Sequence, residues 1–134
     1  MISGKQLHGL RVLDQSGAVL GVVDSLHADQ QSGKILGYMV TMPGVISTGG
    51  YLPAAEVINL DLIGLVVAGK GSLHRLRKNK KNPPQALKID QLSTKRGYVT
   101  DILLDKEQIN AVEISQGLLH DIRAGRQTIP WDEL

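Results

Sequence analysis

The chain has no cysteine and no phenylalanine, and only one tryptophan and three tyrosines among its 134 residues. Without thiols, disulfide staples and thiolate metal sites are excluded. With so few aromatics, the usual platform for stacking single-stranded bases is missing. Long hydrophobic runs are absent too: none approaches the roughly 20 residues needed to span a bilayer, so no transmembrane segment is expected. No basic segment followed by an apolar block opens the chain as a secretory signal would, and the expected localisation is cytoplasmic. What is present is ordinary for a globular protein, with 42% apolar and 21% charged residues. Two halves of about 60 residues would each be marginal alone, so they are expected to lean on each other.

The strongest internal signal is self-similarity at fixed spacing. Leu52-Pro53-Ala54-Ala55-Glu56-Val57 is echoed by the last six residues, Ile129-Pro130-Trp131-Asp132-Glu133-Leu134, as aliphatic, Pro, two variable positions, Glu, aliphatic. Asp29 stands 24 residues before Pro53 and Asp105 stands 25 before Pro130, each closing a nine-residue run opened by Gly21 or Gly97. Aligned from those glycines, Val23 meets Val99 and Leu26 meets Ile102. The second turn is two residues shorter, so Ile35 meets Ile109.

Between these marks the chain alternates turn residues with short apolar or β-branched runs, the pattern of hairpins. Strands are predicted over 10–13, 19–26, 34–41, 62–68, 98–104 and 109–115. A short polar lead occupies 2–10, and a glycine-rich loop carrying Met42, Val45 and Ile46 occupies 42–50. The expected organisation is all-β: a first unit over 1–71, a basic Pro-containing linker over 72–86, and a second, shorter unit over 87–134 that lacks the final strand. Asn82-Pro83-Pro84 favours an extended spacer conformation in that linker.

Gly-x-Val near a strand start, an Asp closing the strand, Gly-x-Ile-x-Gly at Gly33 to Gly37, and the twice-written hexapeptide resemble the PRC-barrel family. Glu113-Ile114-Ser115-Gln116-Gly117, with Asp121-Ile122 and Gly125-Arg126 after it, is similar to tandem PRC-barrel proteins of bacteria. The family comprises small β-barrels related to the cytoplasmic domain of the photosynthetic reaction-centre H subunit and to the C-terminal domain of ribosome-maturation factors. The resemblance implies two PRC-barrel-like β-barrel units in tandem and a role in docking onto larger assemblies. The missing last strand departs from the family pattern and leaves an open sheet edge, through which a homodimer could pair.

Chemistry finds little foothold. Gly64 to Lys70 matches the first seven places of a phosphate-binding loop, but Gly71 stands where Ser or Thr must hold the metal, and the intervening residues read as strand interior. His8, His27, His74 and His120 fall in different predicted elements, without metal-ligand spacing. There is no Gly-x-Ser-x-Gly elbow, and Asp24, Asp29, Asp101 and Asp105 occupy strand ends where Asp caps turns. Glu56 and Glu133 recur for the sake of the turn after the proline. No catalytic residue, cofactor or metal is therefore assigned, and a pocket lined by Asp24, His27 and Asp29 would be needed to revive an enzyme.

Two binding readings remain. Arg75, Arg77, Lys78, Lys80 and Lys81 lie within seven residues, while the rest of the chain sets ten cations against thirteen acids, so positive charge is local. Such a run can meet several phosphates at once, on RNA, a ribosome or an anionic membrane surface. Alternatively Met42, Val45, Ile46 and Trp131 offer apolar surface to a protein partner. The preferred expectation is a non-enzymatic adaptor binding a protein partner through its barrel surface, with RNA or ribosome association through the basic run as the alternative.

Overall fold

Aspartates set the turns from which the strands start. Asp14 Oδ1 accepts the N–H groups of Ser16 and Ala18, and Asp29 Oδ1 that of Gln31. Asp61 Oδ1 accepts those of Ile63 and Gly64, and Asp105 Oδ1 those of Glu107 and Gln108. These side-chain bonds mimic a backbone turn and fold the chain back locally, before any distant contact forms.

The computed structural model describes residues 2–43, 48–75, 93–94, 97–117, 121, 123 and 125–133. The fold is all-β, with a curled half-barrel sheet. After β1 (Ile2–Ser3) comes α1 (Gly4–Leu7), then β2 (Arg11–Leu13), β3 (Val19–Ala28), β4 (Ile35–Met42), β5 (Thr48–Pro53), β6 (Val57–Leu60), β7 (Leu65–Val67) and β8 (His74–Arg75). The later strands are β9 (Ser93–Thr94), β10 (Gly97–Leu104), β11 (Ile109–Ser115) and β12 (Gln127–Pro130). Three-residue 3-10 turns stand at Ala54–Glu56, Lys70–Ser72 and Trp131–Glu133.

One sheet has seven strands in the order β6-β7-β2-β3-β4-β5-β8; the other has the order β1-β10-β11-β12, with β9 also on β10. All pairs are antiparallel except β2 with β7. The registers of the two sheets correspond closely. The β3–β4 ladder is irregular between Val23 and Ser25 and between His27 and Ala28. The β10–β11 ladder is irregular between Val99 and Asp101 and between Leu103 and Leu104, which are the aligned positions. Each bulge inserts an extra residue and bends its strand, so equal bulges give the two hairpins equal bends. Gly37 pairs with Pro53 as Ala111 pairs with Pro130, and each proline ends its strand and leads into a 3-10 turn.

Several sequence expectations change in detail. Residues 2–10 are not a bare polar lead. Ile2 and Ser3 pair with Leu104 and Leu103, and Ser3 then caps α1 in a reciprocal box with Gln6. The N-terminus of the expected first unit thus belongs to the other sheet, while His74 and Arg75 of the expected linker pair with Tyr51 and Gly50. Of the expected 42–50 loop, Met42 and residues 48–50 belong to strands, because Met42 pairs with Thr48, whereas 44–47 lie outside the described residues. The predicted 62–68 strand starts only at Leu65, since Asp61 captures the N–H groups of Ile63 and Gly64 and holds Leu62 and Ile63 in an exposed turn. Among the described residues the second sheet has no counterparts of β6 and β7; β10 is flanked by β9 and β1.

The core is one contiguous cluster drawn from both sheets, including Val23, Ile35 and Leu65 from the first and Ile102, Val112 and Ile129 from the second. The sheets also meet through backbone. Ile35 N–H donates to Glu107 O at 2.9 Å and Ile109 N–H donates to Gly33 O at 2.8 Å, around an antiparallel bridge between Lys34 and Gln108. Ile35 and Ile109 are aligned residues, so the contact joins like to like across a local pseudo-twofold. No helix among the described residues is long and apolar enough to cross a membrane.

Candidate functional site

The most distinctive surface lies where the two hairpin turns cross. On one side of the bridge, Pro130 ends β12 and the following 3-10 turn carries Trp131 inward, where it is only 7% exposed. Its Nε1–H donates to Gln31 O at 3.3 Å, and the indole lies over Gly33. A Cβ at Gly33 would stand 2.7 Å from Nε1, and φ there is +72°, so a glycine is needed for both space and conformation. Gln108 completes the cradle, donating from Nε2 to Ser32 O at 2.6 Å and to Ile109 O at 3.0 Å.

On the other side the aligned residue after Pro53 is Ala54. With alanines at 54 and 55 no large side chain among the described residues covers the equivalent place, and a groove of about 440 Å³ opens there. Lys34, Ile35, Ala54, Ala55, Val57, Lys106 and Glu107 line it. The floor is apolar: Ile35 and Val57 are buried and Ala54 packs against the core. The rim is charged, with Lys34, Lys106 and Glu107 all exposed. Two ammonium groups against one carboxylate leave it net positive. The volume falls within the roughly 300–1,000 Å³ typical of small-ligand sites.

Neighbouring groups stiffen this region. Tyr38 is fully buried beneath it, with its hydroxyl directed at Lys106 O, 3.5 Å away. Burial first, and the negative charge of Asp105 second, push the phenol far above its usual range and keep it protonated. Asp105 is held below the usual carboxylate range. Burial, the largest single influence, acts the other way but is outweighed by the Glu107 N–H, the Asn110 amide and the Gln108 N–H. The turn carrying Lys106 and Glu107 is thereby fixed in place.

A second polar cluster sits on β3 and β5. His27 is buried at 7% exposure, and its Nδ1 lies 2.9 Å from Tyr51 Oη, one hydrogen bond whose direction follows the imidazole tautomer. Burial lowers the His27 pKa and raises that of Tyr51. The Tyr51 ring lies across Gly37, where an added Cβ would collide with it. That accounts for both glycines of Gly33 to Gly37: each admits an aromatic ring. A third cluster joins Arg126 to Glu113 at 3.1 Å and to Asp121 at 3.4 Å on the surface of the second sheet.

The sequence-predicted residues scatter. Met42 is partly buried against the core and Trp131 is enclosed, whereas Val45 and Ile46 lie outside the described residues. Arg75 is exposed on β8; Arg77, Lys78, Lys80 and Lys81 lie outside the described residues. Asp24, His27 and Asp29 do not line the groove. Gly64 to Lys70 includes β7, as its residue types suggested, and is not a phosphate loop opening an α-helix. Among the described residues no three His, Asp or Glu side chains converge as metal ligands.

Sequence reasoning missed Lys34, Ala54, Ala55, Val57, Lys106 and Glu107 as one site. One signal was available. The aligned hexapeptides differ most in bulk at Ala54 against Trp131, and a large residue facing a small one at equivalent places marks a filled site beside an open one. Leu62 (63%) and Ile63 (81%) are exposed as well, although their residue types read as strand. Compared with models of known protein families and with curated proteins, the chain matches none.

Proposed function

We propose that this protein is a non-enzymatic adaptor of the PRC-barrel kind, built from a duplicated β module, which docks a protein partner in the cytoplasm. The observation that carries the reading is the groove between the two turns: apolar floor, charged rim, and, among the described residues, no side chain filling it. Apolar pockets with a few charged groups at the edge are the usual anchors of protein recognition. Trp131 serves the fold, so the partner site lies at Ala54, Ala55 and Val57 and not at that indole.

Affinity capture from the source cell at two salt concentrations tests the reading. A protein partner retained at high salt, and released by Ala55→Lys at an exposed lining position, supports it; capture indifferent to every groove substitution removes it. The clustered cations Arg75, Arg77, Lys78, Lys80 and Lys81 favour the alternative of RNA or ribosome association. In that case nucleic acid would be captured at low salt and lost at high salt.

A further inference from the structure

We propose that the groove binds a partner segment presenting an aromatic side chain followed by carboxylates; this rests on the adaptor reading above and names the chemistry of its ligand. A pseudo-twofold at Lys34 and Gln108 relates two cradles. Across it, one cradle is filled by Trp131, the residue after Pro130, and the equivalent place after Pro53 carries Ala54, with no larger side chain over it among the described residues. The fold therefore displays, in its own second sheet, the kind of group that suits the empty copy: a flat ring delivered by a 3-10 turn at a strand end. The floor residue Ile35 corresponds to Ile109 and the rim residue Lys34 to Gln108.

The rim determines what stands beside the ring. Where the filled cradle offers neutral Gln108 and Ser32, the empty one offers Lys34 and Lys106, both exposed, with Glu107 as the single acid among the described lining residues. A net positive rim steers and holds carboxylates beside the anchoring ring, and rejects basic segments. Glu107 stands at the place of Gly33, so a ring here cannot lie over that turn as Trp131 does and rests instead on Ala54, Ala55 and Val57. An aromatic residue with acids after it is the order that Trp131, Asp132 and Glu133 already present.

A capped peptide of residues 129–134 is therefore a suitable probe, added to the full-length protein and followed by amide NMR. The expected result is saturable shifts at Ile35, Ala54, Ala55, Val57 and Lys106, absent for the same peptide with its tryptophan replaced by alanine. Ala54→Trp fills the groove from within and abolishes the shifts. Lys106→Glu, on an exposed turn that leaves the core alone, weakens binding about tenfold and flattens its salt dependence. Shifts elsewhere, equal shifts from the alanine peptide, or undiminished binding by folded Ala54→Trp and Lys106→Glu proteins would overturn the assignment. A concentration-dependent dimer lost in Ala54→Trp would assign the groove to a second copy, and overturn it too. If the peptide fails while a cellular partner is still released by Ala55→Lys, the ligand chemistry falls and the adaptor stands. If the peptide binds and no partner is found, the groove assignment stands and the adaptor falls.

Discussion

At the scale of single residues, two positions decide how the turns and the polar interior behave. Gly33 combines a left-handed backbone with an indole packed where its Cβ would be. Gly33→Ala should cost about 2–4 kcal/mol, roughly 1–2 for the conformation and the rest for overpacking. Urea denaturation would measure the loss, and a red-shifted Trp131 emission would show that the indole has been displaced. Replacement of Gly33 with no change in either would refute the cradle. His27 sets a pH dependence. Its folded pKa is lowered by burial, so the native state prefers the neutral ring, while the unfolded chain takes up a proton near about 6.5. Stability from this site is thus fully present above about pH 6.5 and is lost as pH falls toward the lowered folded value. Denaturation midpoints at pH 7.5, 6.5 and 5.5 should fall in that order, and His27→Gln should flatten the decline. The depressed carboxylates Asp105 and Glu113 act lower, keeping their contribution down to about pH 4.5 and losing it below.

At the scale of elements, the hairpins were legible because they are made locally. Asp14, Asp29 and Asp105 bond N–H groups within four residues, and the strands between them carry recognisable apolar runs. Elements made by distant partners were not legible. β1 has two residues, too few to show any period, and only the edge of β10 gives it a place. The bulges at Val23/Ser25 and Val99/Asp101 appeared merely as imperfect alternation, since the pairing that defines a bulge lies on another strand. Leu62 and Ile63 look like strand, yet local bonds from Asp61 won over β propensity. The groove was hidden for a similar reason: its residues come from three separated segments, and only the Ala54 and Trp131 mismatch hinted at it. The dependence of β10 on β1 is open to test. Ile2 is buried, so Ile2→Asp places a charge in the core and unpairs the edge. A loss of about 2–4 kcal/mol is expected. Amide exchange should accelerate at Leu103 and Leu104 before it does in β2 or β7. Uniform acceleration would mean that β1 has no local role.

At the scale of the whole molecule, the two sheets share one core, exchange backbone bonds at Ile35 and Ile109, and trade termini. Ile2 and Ser3 pair in the second sheet, while the single tryptophan rests on a turn of the first. Each half is too small to bury a self-sufficient core, and the surface it would expose alone is the surface that the other covers. Unfolding should accordingly be a single cooperative transition. Trp131 emission, which reports the junction, and amide exchange at Val12 and Val67, far from it in the first sheet, should give the same free energy of opening. Gln108 is the natural place to perturb this coupling, because its side chain donates to Ser32 O across the junction and to its own neighbour, Ile109 O. Gln108→Ala removes those donors and should lower global stability by about 1–2 kcal/mol, as seen equally by both probes. If the tryptophan signal is lost at lower denaturant while Val12 and Val67 stay protected, the first sheet stands by itself. The junction would then be a hinged contact, and a partner entering the groove could open it.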